Sequence, residues 1–173
     1  MEFNNITLIG MPTSGKSTIG VIVAKILGMD FVDADIVIQN REGKKLSEII
    51  EEKGIDGFVK CEGDAILSIE VNNTVIATGG SAVYSANAME KLAKNSLIVY
   101  LKLEKEELFR RLKNAKERGV VLREGESLED MYNARAKLYE KYAHLTVEEK
   151  NCTMEETVAK LVELIRNEQA VRE

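Results

Sequence analysis

Eight residues near the start of the chain, Gly10-Met11-Pro12-Thr13-Ser14-Gly15-Lys16-Ser17, constrain its fold more than any other stretch. They fit G-x-x-x-x-G-K-[S/T], the P-loop pattern, which works only between a strand and a helix. Both flanks comply. Ile6-Thr7-Leu8-Ile9 is short, apolar and β-branched, the signature of a buried strand. Thr18 to Leu27 predicts a helix. In that setting successive backbone N–H groups and the helix N-terminus face one concavity suited to a phosphate chain. Gly15 admits a close backbone approach, Lys16 reaches the outer phosphates, and the Ser17 hydroxyl is placed to ligate Mg²⁺.

The remaining pattern is consistent with that start. The chain has 173 residues, enough for one domain with a sizeable core. Its formal net charge is -5, with charges of both signs scattered, so it lacks the basic footprint of a nucleic-acid binder. No stretch is long and apolar enough to span a bilayer. Met1-Glu2-Phe3-Asn4-Asn5 carries no basic region, so no secretory leader is expected. Cys61 and Cys152 have neither zinc nor C-x-x-C spacing and read as reduced thiols of a cytoplasmic protein. The single histidine, His144, lies near an expected helix end and receives no chemistry.

Short strand-like runs alternate with longer helical ones, which argues α/β with a largely parallel sheet. Strands are expected at Asp30–Asp33, Thr74–Thr78, Leu97–Leu101 and Leu145–Val147. Helices are expected from Ile36 to about Gly43, from Leu46 to Lys53 closed by Gly54, and from Gly57 to Ile69. Further helices are expected over Ala86–Leu92 and Lys105–Lys113. Lys116 to Glu126 is charged, holds two glycines and predicts a mobile surface loop. Ser127 with Asp130, and Thr153 with Glu156, have the spacing of capping boxes that open the last two helices. The final residues, after Asn167, are expected to fray.

Candidate chemistry clusters after the strands. Asp33 and Asp35 follow the second strand, at the edge where open α/β sheets bind ligands. If the backbone stays extended there, both side chains share a side. One could then serve Mg²⁺ while the other orients or deprotonates a hydroxyl. The alternative is an Asp N-cap before the next helix. Gly79-Gly80-Ser81 follows the third strand, where glycines expose N–H groups to a substrate oxygen or simply form the turn. Ser81 could also cap the helix that follows. Arg118 sits in the polar loop, from which it could reach a transferring phosphate, and Arg135 on the helix beyond could clamp a carboxylate. Arg110 and Arg111 are placed to stack on a base or to remain solvated. No N-K-x-D guanine-reading signature is present, and the modest size favours a small phosphotransferase.

Taken together these residues resemble the shikimate kinase family. The resemblance is carried by Gly10 to Thr18, Phe31-x-Asp33-x-Asp35, Gly54-x-x-x-Phe58, Glu62, Ile76-Ala77-Thr78-Gly79-Gly80, Arg118, and Leu128-x-x-Met131-x-x-x-Arg135-x-x-x-Tyr139. It covers nearly the whole chain in the family's order. It implies a P-loop three-layer α/β sandwich, residues 1–173 as a single kinase domain. The implied sheet is five-stranded, parallel and of order 2-3-1-4-5, with a lid over about residues 112–126. It also implies ATP and Mg²⁺, a monomer, and phosphoryl transfer to the 3-hydroxyl of shikimate. By carry-over, Gly10, Pro12, Thr13, Ser14, Gly15, Lys16, Ser17 and Thr18 hold the nucleotide, with Arg111 and Asn151 on the adenine side. Lys16 and Arg118 stabilise the transferred phosphoryl, and Ser17 and Asp33 serve Mg²⁺. Asp35 binds and activates the hydroxyl, while Gly79, Gly80, Ser81 and Arg135 complete the acceptor site.

The chain departs from the family at the acceptor. An arginine that follows the family's phenylalanine is Val59 here, and the glutamate after the glycine is Ile55. Lys60 is adjacent but projects about 100° away around a helix. Losing one charged hydrogen-bonding partner costs about 1.5–3 kcal/mol, roughly tenfold to a hundredfold in affinity. The third family glycine is Ser81, and the proline usual after the lid arginine is Gly119. Three readings therefore stand: a shikimate kinase, a kinase of another small hydroxy acid, amino acid or sugar acid, and a non-catalytic nucleotide-binding protein.

Overall fold

Each short apolar run becomes a strand backed by its own helix. The computed structural model describes residues 3–114 and 122–172. In chain order these are β1 (Asn5–Gly10), α1 (Lys16–Leu27), β2 (Asp30–Asp33), α2 (Ala34–Glu42), α3 (Leu46–Leu67) and β3 (Thr74–Ala77). A 3-10 turn (Ala82–Tyr84) follows, then α4 (Ala86–Asn95), β4 (Ser96–Lys102), α5 (Lys105–Asn114), α6 (Leu128–Tyr142), β5 (Leu145–Glu148) and α7 (Met154–Arg172). The strands form one five-stranded sheet of order β2-β3-β1-β4-β5. Every pairing is parallel, with β1 held against β3 from Asn5↔Thr74 and against β4 from Asn5↔Ser96. The expected strand order and layers are both found.

Period-two alternation distributes the central strands between two cores. Ile6 and Leu8 of β1, with Leu97, Val99 and Leu101 of β4, face α1 and α7 through Ile19, Val23, Leu161 and Ile165. Ile9 of β1, with Ile98 and Tyr100 of β4, faces the other helical layer through Ile66, Met89, Leu108, Met131 and Tyr139. Among the described residues no helix is long and apolar enough to cross a membrane.

Several local expectations need correction. The chain after β2 does not stay extended: helix α2 begins at Ala34, because the Asp33 side chain accepts the Asp35 amide at 2.9 Å as an N-cap. Asp33 and Asp35 therefore sit on one helical turn, not on one face of a strand. The two helices expected on either side of Gly54 are one element with a kink, where Gly54 takes φ 68° and ψ -178°. That conformation is open to glycine, and the chain re-enters the helix beyond it. The last helix does not stop at Asn167 but continues to Arg172, carried by Glu168, Gln169 and Ala170, all good helix formers. Both capping boxes are present: the Asp130 amide donates to Ser127 Oγ at 3.1 Å, and the Glu156 amide to Thr153 Oγ1 at 3.2 Å. His144 accepts the Ile98 amide at 2.9 Å through Nδ1 and joins the β4–β5 edge. Residues 115–121, which include Arg118, Gly119 and the middle of the expected lid, lie outside the described residues.

Candidate functional site

The order β2-β3-β1 brings three strand ends side by side, and the candidate residues follow all three. After β1 the backbone turns through unusual angles: Gly10 takes φ 152°, Thr13 φ 66° and Gly15 φ 79°. A Cβ at Gly10 would lie 2.6 Å from the Leu101 carbonyl oxygen, so β4 excludes a side chain there. Gly15 is the N-cap of α1 yet supplies no side-chain cap, and the first turn holds no acidic residue. The first amides of a helix have no intrahelical acceptor. At α1 they face the loop, and an anion satisfies them best.

Lys16 turns back into this loop. Its Nζ donates to the Gly10 carbonyl at 2.9 Å, the Met11 carbonyl at 2.7 Å and Ser14 Oγ at 3.3 Å. It is buried, and desolvation lowers its pKa to about 8, with Asp35, Glu149 and Glu62 drawing it back up. A phosphate would restore the lost solvation, so the cradle fits a polyphosphate. Ser17 and Thr18 are exposed at the mouth, while Pro12, Thr13 and Asp33 are half-buried around it. Among the described residues no cluster of three or more His, Cys, Asp or Glu side chains could hold a metal by itself. One hydroxyl, one carboxylate and substrate phosphates are the ligand set that Mg²⁺ commonly takes.

Arg111 ties the cradle to a neighbouring cavity. Its Nη1 donates to the Thr13 carbonyl at 2.9 Å and to Glu149 Oε2 at 3.3 Å, and its Nε donates to Glu107 Oε1 at 2.7 Å. The cavity measures about 360 Å³ and is lined by Leu103, Glu107, Arg110, Arg111, Glu149 and Asn151 among others. Burial raises the Glu149 carboxyl to about 6 against the pull of Arg111. Asn151 stands at its rim with φ 54°.

The acceptor side is assembled around Gly79 and Gly80. A Cβ on Gly79 would meet Glu62 Oε1 at 2.1 Å and Asp35 Oδ1 at 3.0 Å. On Gly80 it would meet Pro12 Cδ at 2.9 Å and Arg135 Nη1 at 3.2 Å. Glycine at both positions is thus a matter of space, and the P-loop proline touches the acceptor pocket. Arg135 is only 1 % exposed. Its guanidinium lies 5.4 Å from the centre of the Tyr84 ring, and its Nε donates to Tyr84 Oη at 3.4 Å. One helical turn on, Tyr139 Oη donates to the Gly80 carbonyl at 2.6 Å. The structure therefore brings Asp35, Gly79, Gly80 and Arg135 together beside Lys16.

Ser81 is buried, and its hydroxyl donates to Glu62 Oε2, so that hydroxyl is engaged with a neighbouring side chain. Lys60 extends outward, its side chain 80 % exposed, to pair with Asp64. Glu62 and Tyr139 received no role from the sequence. Glu62 carried a signal, because it falls on the apolar stripe of α3 between Phe58 and Ile66, where a carboxylate has no ordinary reason to be.

Known proteins resemble this arrangement over nearly the full chain. Residues 12–166 match the family profile described as Shikimate kinase. A shikimate kinase of Clostridium botulinum is 41% identical over 148 residues, 83% of this chain and 86% of its own length. One from Haemophilus influenzae is 36% identical over 171 residues, covering 96% of this chain and 94% of its own. Among solved structures, shikimate kinase from Acinetobacter baumannii in complex with shikimate superposes with a TM-score of 0.87 at 30% identity, covering 96% of this chain and 95% of that one.

Proposed function

The chain belongs to the shikimate kinase family, and we propose that it transfers the γ-phosphoryl group of ATP to the 3-hydroxyl of shikimate, as a monomer in the cytoplasm. The observation that carries this reading is the convergence of Asp35, Gly79, Gly80 and Arg135 within reach of Pro12 of the phosphate cradle. Donor and acceptor sites thereby share a wall.

In this reading the cradle from Gly10 to Thr18 holds the phosphates through main-chain N–H groups, and Arg111 and Asn151 border the base. Lys16 exchanges its internal acceptors for phosphate oxygens and stabilises charge on the transferred group. Ser17 and Asp33 would hold Mg²⁺, which supplies charge neutralisation across the phosphates. Asp35 orients the acceptor hydroxyl and accepts its proton. Arg135, buried and carried on the Tyr84 ring, offers a planar fork to the acceptor carboxylate. Gly79 and Gly80 present main-chain N–H groups to the substrate. Arg118 belongs to the same proposal as the arginine that reaches the phosphoryl group from the lid over residues 112–126.

ADP release with Mg²⁺-ATP, compared across shikimate and a panel of small hydroxy acids, amino acids and sugar acids, tests the proposal. Saturable turnover with shikimate is expected. Turnover only with another acceptor would transfer the assignment to that compound, and Val59 and Ser81 would mark the change. Nucleotide binding with no turnover on any acceptor would leave a binding protein.

A further inference from the structure

Glu62 has no role in the transfer as described, yet it is buried at the centre of the acceptor pocket. It lies one helical turn after Phe58 and one before Ile66, so α3 carries it inward. Its exposure is 0%. One carboxylate oxygen, Oε2, accepts the Ser81 hydroxyl. The other, Oε1, is shut off from solvent and has no hydrogen-bond partner among the described residues. That oxygen and Asp35 Oδ1 both crowd the position that a Cβ on Gly79 would take. Two carboxylates facing one glycine disfavour double ionisation, and a buried oxygen without a partner disfavours it further.

Among the described residues, the charged groups that act on Glu62 come from three helices. Asp35 faces Glu62 from α2 and favours its protonated form; Lys16 from α1 and Arg135 from α6 favour its ionised form. Tyr139 of α6 feels the same carboxylate, and its own hydroxyl is held neutral by burial. Among the described residues, Arg123 lies 5.5 Å from the centre of the Tyr84 ring that also carries Arg135, and pairs with Asp56 at 3.7 Å. Arg41 of α2 donates to the Asp64 carbonyl, and Lys91 of α4 donates to the carbonyls of Leu67 and Ile69 and to Glu70. Desolvation outweighs the opposing contacts and raises the Glu62 carboxyl to about 7.

We propose that Glu62 is a positioning residue that serves the acceptor pocket in its protonated form, leaving Asp35 as the pocket's single negative charge and Arg135 to the incoming carboxylate. This rests on the acceptor being the anionic hydroxy acid proposed above. A carboxylate on Arg135 withdraws part of the cationic support that favours ionised Glu62. Binding therefore raises the proton affinity of Glu62, and around neutral pH the acceptor binds together with a proton. By linkage, affinity is level below the pKa of the free pocket and weakens above it, by at most about tenfold per pH unit.

The test is calorimetric titration of the full chain with shikimate, without nucleotide, from about pH 6 to 8.5 in paired buffers of different ionisation enthalpy, a range that brackets the neutral-pH switch. The expected result is proton uptake on binding near pH 7.5, with Kd level below about pH 7 and rising above it. Glu62→Gln is expected to abolish the uptake and level the profile. Ser81→Ala keeps the glutamate but removes a donor that favours its ionised form, so the midpoint is expected to move upward. Binding without uptake, or uptake that persists unchanged in Glu62→Gln and so belongs to another group such as Lys16, overturns the proposal while leaving the acceptor assignment intact. Should Glu62→Gln fail to fold, an unmoved midpoint in Ser81→Ala overturns it instead. No binding of shikimate at any pH overturns both this proposal and the acceptor assignment.

Discussion

The phosphate cradle and the acceptor pocket meet at Pro12 and Gly80, yet they are built by opposite means. The cradle is consecutive chain. Its shape comes from the φ angles of Gly10, Thr13 and Gly15, and its donors are main-chain N–H groups that exist whatever the side chains. The acceptor pocket proposed above draws on α2, α3, the β3–α4 link and α6, and is walled by buried ionisable side chains, Glu62 at 0% and Arg135 at 1% exposure. A main-chain site depends on a few permissive glycines. A side-chain site depends on every partner being present, because a buried charge that loses its counterpart becomes a cost. The cradle keeps its full motif, whereas Ser81 of the acceptor side departs from the family pattern and meets Glu62.

Substitutions can separate the two regions, beginning with the largest effect. Lys16→Ala is expected to lower kcat by about a thousandfold or more, since it removes the cation at the transferred charge. Circular dichroism should still report a native fold, and near wild-type turnover would break the assignment of the cradle. Asp35→Asn keeps the shape of the pocket and removes the proton acceptor. Its kcat is expected to fall by about a hundredfold or more, with ATP affinity measured by titration unchanged. Comparable activity in the two proteins would remove Asp35 from the hydroxyl.

Arg135→Lys exchanges the planar fork for a point charge beside Tyr84. It is expected to raise KM for shikimate by roughly tenfold to a hundredfold and leave KM for ATP in place. A parallel rise in both constants would mean that the two regions are not energetically separate. Val59→Arg restores the arginine of the family pattern and is expected to lower KM for shikimate by up to about tenfold, with kcat nearly constant. A neutral or harmful outcome would show that the pocket does not lack that cation.

Much of this molecule is local and was legible as such. The cradle residues Gly10 to Ser17, the apolar runs of β1 and β4, and the capping boxes at Ser127 and Thr153 each depend on neighbours a few positions away, so spacing alone announces them. Even the strand order followed from the resemblance carried by those motifs. Tertiary structure decided what spans the chain. That Ser81 meets Glu62, and that Asp35 and Glu62 both close on Gly79, depends on how β2, β3 and β1 lie together. Tyr139 reaches the Gly80 carbonyl across 59 positions of sequence, a contact that no local pattern encodes. The physical reason is that local geometry is set by backbone torsions and short-range hydrogen bonds, which the sequence lists in order. Burial and the pairing of distant charges exist only after the sheet has chosen which chain ends stand side by side.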